Sequence, residues 1–249
     1  MEFLAGYTTL QLAAALTAAF GAAFIRGLAG FGLAILLVPV LALAMSPVEA
    51  VLATNVVAVL IGLSEIKRIT REAEKSAWTI SMLVVIATFP GLYLLSITAP
   101  PLARVLIALI ALSAFFAMFL PKRPAQQPGA AQTGIVGLIS GLLTGFAGMP
   151  GPPVVPYYLG RDIPKEIAKP SMLLIFTIAA AAGLASGAVI GVLDWGLIVL
   201  GVLLFPAVLL GNYLGALAFG KVSDTVWRIF VMAVLAATAL ASLARLLGS

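Results

Sequence analysis

The chain has 249 residues, 63% of them hydrophobic and 9% charged, with a net charge of +5; an ordinary soluble domain is about a quarter charged and under half apolar. This composition excludes a soluble fold and points to an integral membrane protein. Cysteine and histidine are absent, which excludes disulfides, thiolate chemistry, imidazole bases and the commonest zinc sites, and neither a cofactor nor a metal is expected. The Lys and Arg residues sit mostly in short loops between apolar runs, the pattern that encodes membrane topology, so the positive charge does not point to nucleic acid.

In chain order, the opening "MEFLAGYTTLQLAAALTAAF" lacks a basic leader and a clear small-residue cleavage site, and reads as a retained first helix. Apolar runs follow at about 8–28, 31–45, 50–66, 77–98 and 102–120. None shows sustained period-two alternation, so the spans are helices rather than barrel strands. The stretch "PKRPAQQPGAAQ", residues 121–132, reads as a linker by its Pro, Gln and small residues. A second set of runs follows at about 133–147, 151–160, 167–190, 195–218 and 224–247. Trp78 and Trp195 fall at span starts, where interface anchors belong.

The two sets read as a repeat. Shifting the first by 117 positions lays Val38-Pro39 on Val155-Pro156, Pro47-x-Glu49 on Pro164-x-Glu166, and Thr54 on Ser171. The expected organisation is an all-α, polytopic chain with a first transmembrane repeat at 1–120, a cytoplasmic linker at 121–132 and a second, inverted repeat at 133–249. Each repeat holds a Gly/Pro-broken hairpin and three spanning helices. The inversion follows from charge: Lys67, Arg68, Arg71 and Lys75; Lys122 and Arg123; Arg161, Lys165 and Lys169; and Lys221 with Arg228 mark four inside loops. Apart from Arg26, which lies within an apolar run, only Arg104 and Arg245 fall outside this scheme. The N-terminus is then expected outside and the linker inside a bacterial inner membrane. Inverted repeats of this kind place discontinuous helices at a midplane site in many transporters.

The breaks are "RGLAGFG", with Gly27, Gly30 and Gly32, and "TGFAGMPGPPVVP", with Gly145, Gly148 and Gly151. Freed backbone groups in lipid must be buried in protein or line a wet cavity, so both breaks are expected to face inward. Each would expose the N-terminus of a new half-helix, which suits an anion. Glycines four apart, at Gly137, Gly141 and Gly145 and at Gly183, Gly187 and Gly191, read instead as close-packing positions.

Arg26 stands before the first break with no acidic residue close in sequence, and a mid-membrane arginine costs at least ~2.5–3.5 kcal/mol. Three compensations are open: an anionic substrate, a distant carboxylate such as Glu49, Glu65 or Glu166, or a snorkel to the interface. Glu49 and Glu166, each two residues after a proline, fit helix capping or ion coupling. Thr54, Asn55, Ser171 and Asn212 offer neutral donors to an anion or to neighbouring helices. Phe31 and Phe146, each beside a break glycine, fit a pocket wall or simple packing.

The stretches "GLAGFGLAILLVPVLALAMSPVEAVLATN" and "GLLTGFAGMPGPPVVPYYLGRDIPKEIAKPS" resemble the sulfite exporter TauE/SafE family, and the resemblance covers nearly the whole chain. Phe31 and Met149 stand where further glycines are common in that family. The resemblance implies transport of sulfite, thiosulfate or small organosulfonates; composition and spacing imply only an anion. The expected activity is export of sulfite or C2 organosulfonates by alternating access. The anion would lie at the midplane between the two broken hairpins. The alternatives are an uptake permease for sulfonate or thiosulfate, or an anion channel. An enzyme is disfavoured by the missing histidine, cysteine, Gly-x-Ser-x-Gly and paired aspartates. The expected partners are a small anionic substrate and membrane lipid, with a homodimer left open.

Overall fold

The computed structural model describes residues 8–29, 31–117, 128–161, 163–218 and 224–247. Among them the chain forms eleven helices and no strand. In order these are α1 (Thr9–Ala29), α2 (Leu33–Ala44), α3 (Pro47–Ser64), α4 (Ile66–Glu72), α5 (Lys75–Ile97), α6 (Pro100–Ala117), α7 (Ala130–Ala147), α8 (Gly151–Leu159), α9 (Lys165–Ile190), α10 (Trp195–Ala218) and α11 (Asp224–Leu247). Six of the described helices, α1, α3, α5, α7, α9 and α10, are long and apolar enough to cross a membrane. Large apolar side chains such as Met82, Ile86, Val189, Leu210 and Leu240 are more than half exposed, a surface that suits lipid rather than water. The chain is a multi-pass membrane protein.

The helix boundaries correct the sequence reading at three places. α3 starts at Pro47 rather than near residue 50, because Ser46 and Glu49 form a capping box. The Ser46 Oγ accepts from the Glu49 amide at 3.2 Å, and the Glu49 carboxylate accepts from the Ser46 amide at 2.7 Å. The basic stretch after α3 contains a short helix, α4, rather than a plain loop; its Ile69 is fully buried while its charges face outward. The last three residues of the expected linker, Ala130 to Gln132, already belong to α7; residues 118–127 lie outside the described residues.

Two networks gather helix ends on two opposite faces of the bundle. Arg104 donates to the carbonyls of Ala42 and Met45, Arg245 to that of Leu43, and Gln11 to that of Ala44. The starts of α1 and α6 and the ends of α2 and α11 therefore meet on one face. On the second face, Glu74 takes a two-pronged contact from Arg161, and its amide donates to Ser171 at 2.8 Å. Tyr158 meets Ser76 and Tyr157 meets Thr133 there. The starts of α5, α7 and α9 thus gather around the end of α8. α3, which is 18 residues or roughly 27 Å long, runs from the first face to the second.

The same contacts explain Arg104 and Arg245, two of the cations outside the loop pattern. A helix C-terminus carries unpaired carbonyls and partial negative charge, which guanidinium groups satisfy. Both arginines serve the end of α2, and Arg161, through its bond to the Tyr157 carbonyl at 3.0 Å, serves the end of α8. Trp78 and Trp195 are exposed in the first turns of α5 and α10, as interface anchors require.

Glycine faces set the closest helix pairs. A Cβ at Gly141 or Gly145 would strike α5 backbone at Val84 or at Thr88 and Leu92, and one at Gly137 would strike the Leu83 side chain. α7 therefore lies parallel along α5. Gly27, Gly211 and Gly215 seat α1 parallel to α10 in the same way. α3 and α9 cross antiparallel, with Gly62 against Thr177, Asn55 against Gly183 and Leu52 against Gly187. Gly191 departs from its expected packing role: it ends α9 with φ 81° and open space around it, the left-handed C-terminal position that glycine fills at no steric cost.

Buried apolar residues form two clusters. One joins α1, α2, α3, α6, α10 and α11 with the far ends of α5 and α7, around Leu37, Leu52, Phe115 and Leu204. The other joins α8 and α9 with the first halves of α5 and α7, around Ile80, Tyr158 and Leu174.

Candidate functional site

α2 has 12 residues and α8 has 9, so neither crosses the bundle. Each is anchored at its C-terminal end on a different face by arginine side chains, and each starts in the interior. Their N-termini line one cavity of about 70 Å³. That is several times the ~10–15 Å³ that one water requires, and enough for a small anion.

The cavity wall is built from Phe31 to Ile35 at the first break, Gly148 to Gly151 at the second, Asn55, Ala58 and Ile61 on α3, and Leu173, Phe176, Thr177 and Ala180 on α9. Val155 on α8 and Arg26 on α1 complete it. The cavity lies between the two apolar clusters, since Leu33, Ile35, Ile61 and Met149 belong to one while Phe31, Val155 and Leu173 belong to the other. Among the described residues, Arg26 is the sole charged group on the wall and no carboxylate lines it. An anion meets attraction there, and a cation does not.

Glycine makes both breaks possible. Gly32 caps α2 with φ 102°, and Gly148 ends α7 with φ 67°; both lie in the region that residues with a Cβ rarely adopt. Neither half-helix receives a side-chain cap at its N-terminus. The amides of Leu33, Ala34 and Ile35 therefore have no acceptor within α2. The corresponding positions of α8 are Gly151, Pro152 and Pro153, where only Gly151 has an N–H to give.

Arg26 is 8% exposed. Its Nη1 donates to Asn212 Oδ1 at 2.8 Å, and its Nη2 lies 3.9 Å from Glu65 Oε1. The other Glu65 oxygen is 3.4 Å from Arg68, which also reaches Glu72 at 3.6 Å. Arg26 sits in the last turn of α1 and Glu65 directly after α3, so the guanidinium is at the end of the cavity nearest the second face. Of the compensations open to Arg26, the described residues supply a distant carboxylate, Glu65, at the margin of contact. Asn55, 2% exposed, lines the cavity, while its unpartnered Nδ2 is buried against Gly183 of α9. Such a donor is costly to leave unmade.

The sequence-predicted residues divide. Arg26, Phe31, Gly32, Asn55, Gly148 and Gly151 line the cavity. Gly30 lies outside the described residues. Gly27 and Gly145 do not reach the cavity, because they are the points where α1 and α7 press against α10 and α5. Phe146 packs into the first apolar cluster. Ser171 donates to the Ile167 carbonyl and accepts the Glu74 amide, so its hydroxyl holds α5 to α9. Thr54 is 1% exposed with its hydroxyl unpartnered, behind the wall rather than on it. Asn212 acts through Arg26, with its oxygen already bonded. Glu49 caps α3; Glu166 is exposed in the first turn of α9, where Pro164 holds the N-cap without a side-chain bond.

Sequence reading missed the α9 stripe of Leu173, Phe176, Thr177 and Ala180. Its i, i+3, i+4, i+7 spacing was a signal of one helix face, but in an apolar helix the same spacing fits any face.

An all-helical membrane bundle with two half-helices aimed at an arginine-bearing cavity has the build of an anion transporter. The chain matches the family Sulfite exporter TauE/SafE over residues 15–242 and belongs to it. Membership implies a membrane transporter of sulfite or related anions. Comparisons with curated proteins and with solved structures gave no match.

Proposed function

We propose that the protein exports sulfite or a C2 organosulfonate across the bacterial inner membrane by alternating access. The observation that carries this reading is the cavity shared by both breaks, with one buried guanidinium, free half-helix amides and no carboxylate on its wall among the described residues. Oxyanions are bound by such donors, and Arg adds a planar fork matched to them. In this reading the basic loops lie inside, which puts the N-terminus outside and the cavity end at Arg26 toward the cytoplasm. An inside-negative potential of ~100 mV then favours outward movement of each negative charge by ~2.3 kcal/mol, so export needs no coupling ion. The fate of the cargo is transport, not chemical conversion.

The inverted repeat is part of the proposal, and the packing supports it. Exchanging each helix for its equivalent, α1 for α7 and α5 for α10, turns the α5–α7 pair into α10–α1, the other glycine-seated pair. It returns α3–α9 and α6–α11 to themselves. Pro39 and Pro156 lie inside the two half-helices. The repeats are interleaved, so residues 1–120 and 133–249 are poor candidates for two rocking bodies. The cavity between the two apolar clusters marks a better dividing surface, and the motion we propose opens there.

The test is a ligand panel on purified protein, by calorimetry and thermal shift, with sulfite, thiosulfate, taurine, isethionate, sulfoacetate and, as control, acetate. Stabilisation by sulfite or a sulfonate but not by acetate is expected. Failure of every sulfur anion to bind removes the substrate assignment.

A further inference from the structure

We propose that Glu65 is a tethered stand-in for the cargo: its carboxylate neutralises Arg26 in the empty transporter and gives way to the substrate's anionic group on loading. This rests on the reading of the cavity as the anion site.

A buried guanidinium needs an anion at every stage of a transport cycle, including the return of the empty protein. Arg26 is held on one side by Asn212, a neutral acceptor that fixes its direction but not its charge. Its Nη2 meets Glu65 at 3.9 Å, inside the range of charge attraction and outside that of a hydrogen bond. A partner at that distance compensates charge without holding the geometry that a bound oxyanion needs.

Displacement is easy for a second reason. Glu65 follows the last residue of α3, its side chain is 30% exposed, and its other oxygen already faces Arg68 at 3.4 Å. On leaving Arg26 it keeps a cationic neighbour and gains water. Lys169 lies within electrostatic reach of Arg26, Glu65 and Arg68, and Glu72 balances part of this charge through Arg68. The group of Arg26, Arg68 and Lys169 against Glu65 and Glu72 stays attractive to an incoming anion even before Glu65 moves. The carboxylate then acts as a competitor that sets affinity low enough for release.

The experiment is Glu65→Gln in proteoliposomes and in calorimetry, with sulfite and, separately, isethionate. Gln is isosteric and partly exposed at a helix end, so folding is expected to hold. If Glu65 occupies Arg26 for roughly nine-tenths of the empty state, removing its charge tightens anion affinity about tenfold. Anion-for-anion exchange is expected to persist, while net efflux, which includes the empty return, falls about tenfold. Glu65→Asp, one methylene shorter and still charged, is expected between the two on both readouts. Unchanged affinity in folded Glu65→Gln, or equal loss of exchange and net efflux, overturns the proposal while leaving the substrate assignment intact. Absence of binding to the unaltered protein removes the substrate assignment and this role with it.

Discussion

The first turns of α2 and α8 are built to one plan and equipped unequally. Both helices begin in the interior, both follow a break that uses a glycine at positive φ, and both have their far ends neutralised by arginine. At α2 three amides are free and Arg26 shares the cavity wall; at α8 two of the same three positions are proline. Proline fits the first turn of a helix because the lost donors are unpaired there anyway. At α8 it fixes the break rigidly and leaves an apolar rim of Met149, Pro150 and Val155. One half of the molecule supplies charge and donors, and the other supplies shape.

The largest expected effect comes from erasing that charge. In the proposed reading Arg26 gives the anion a charged donor, so Arg26→Gln is expected to weaken sulfite binding about 100-fold, as loss of a charge-assisted contact does. Folding should survive, since the substitution also removes a buried charge. Unchanged affinity in the folded variant, by calorimetry, ends the binding role of Arg26.

A finer test exchanges the chemistry of the two first turns. Ala34→Pro puts a proline at the second helical position of α2, where α8 has Pro152, and deletes one free amide. The expected loss is about tenfold in affinity, the scale of one hydrogen bond to a charged group. Pro152→Ala gives α8 an extra amide and is expected to change affinity by no more than about twofold. If the second variant binds tighter and the first is unaffected, the cargo sits at α8 and the comparison is reversed.

Much of this was legible in the sequence, and the boundary has a physical cause. Gly32, Gly148 and the prolines at 150, 152 and 153 mark breaks because they alter backbone freedom and donors locally, whatever surrounds them. Helix existence followed from apolar length for the same reason. The partners of Arg26 were not readable, because Asn212 lies 186 positions away and its approach depends on Gly215 seating α1 on α10. Gly145 and Gly148 show the same limit at close range. Both belong to one glycine-rich stretch, yet Gly145 presses on α5 and Gly148 lines the cavity. Gly145 lies inside α7 and Gly148 is its left-handed end, so the place where the helix stops decides between them, and composition does not report it.

The smallest effect concerns the pair that the repeat sets in register, Thr54 and Ser171. The alignment gives both a hydroxyl at the same place, and the fold gives them different duties. Ser171 satisfies the Glu74 amide at the start of α5, so Ser171→Ala is expected to cost about 0.5–1.5 kcal/mol of stability. The Thr54 hydroxyl has no partner, and valine keeps its shape while removing the unsatisfied group. Thr54→Val is therefore expected to leave thermal stability unchanged or slightly raised, and to leave sulfite affinity unchanged because the side chain stands behind the cavity wall. A clear loss of affinity in Thr54→Val, measured beside Ser171→Ala, would mean that α3 turns this hydroxyl into the cavity during transport. The repeat would then be functional at this position as well as structural.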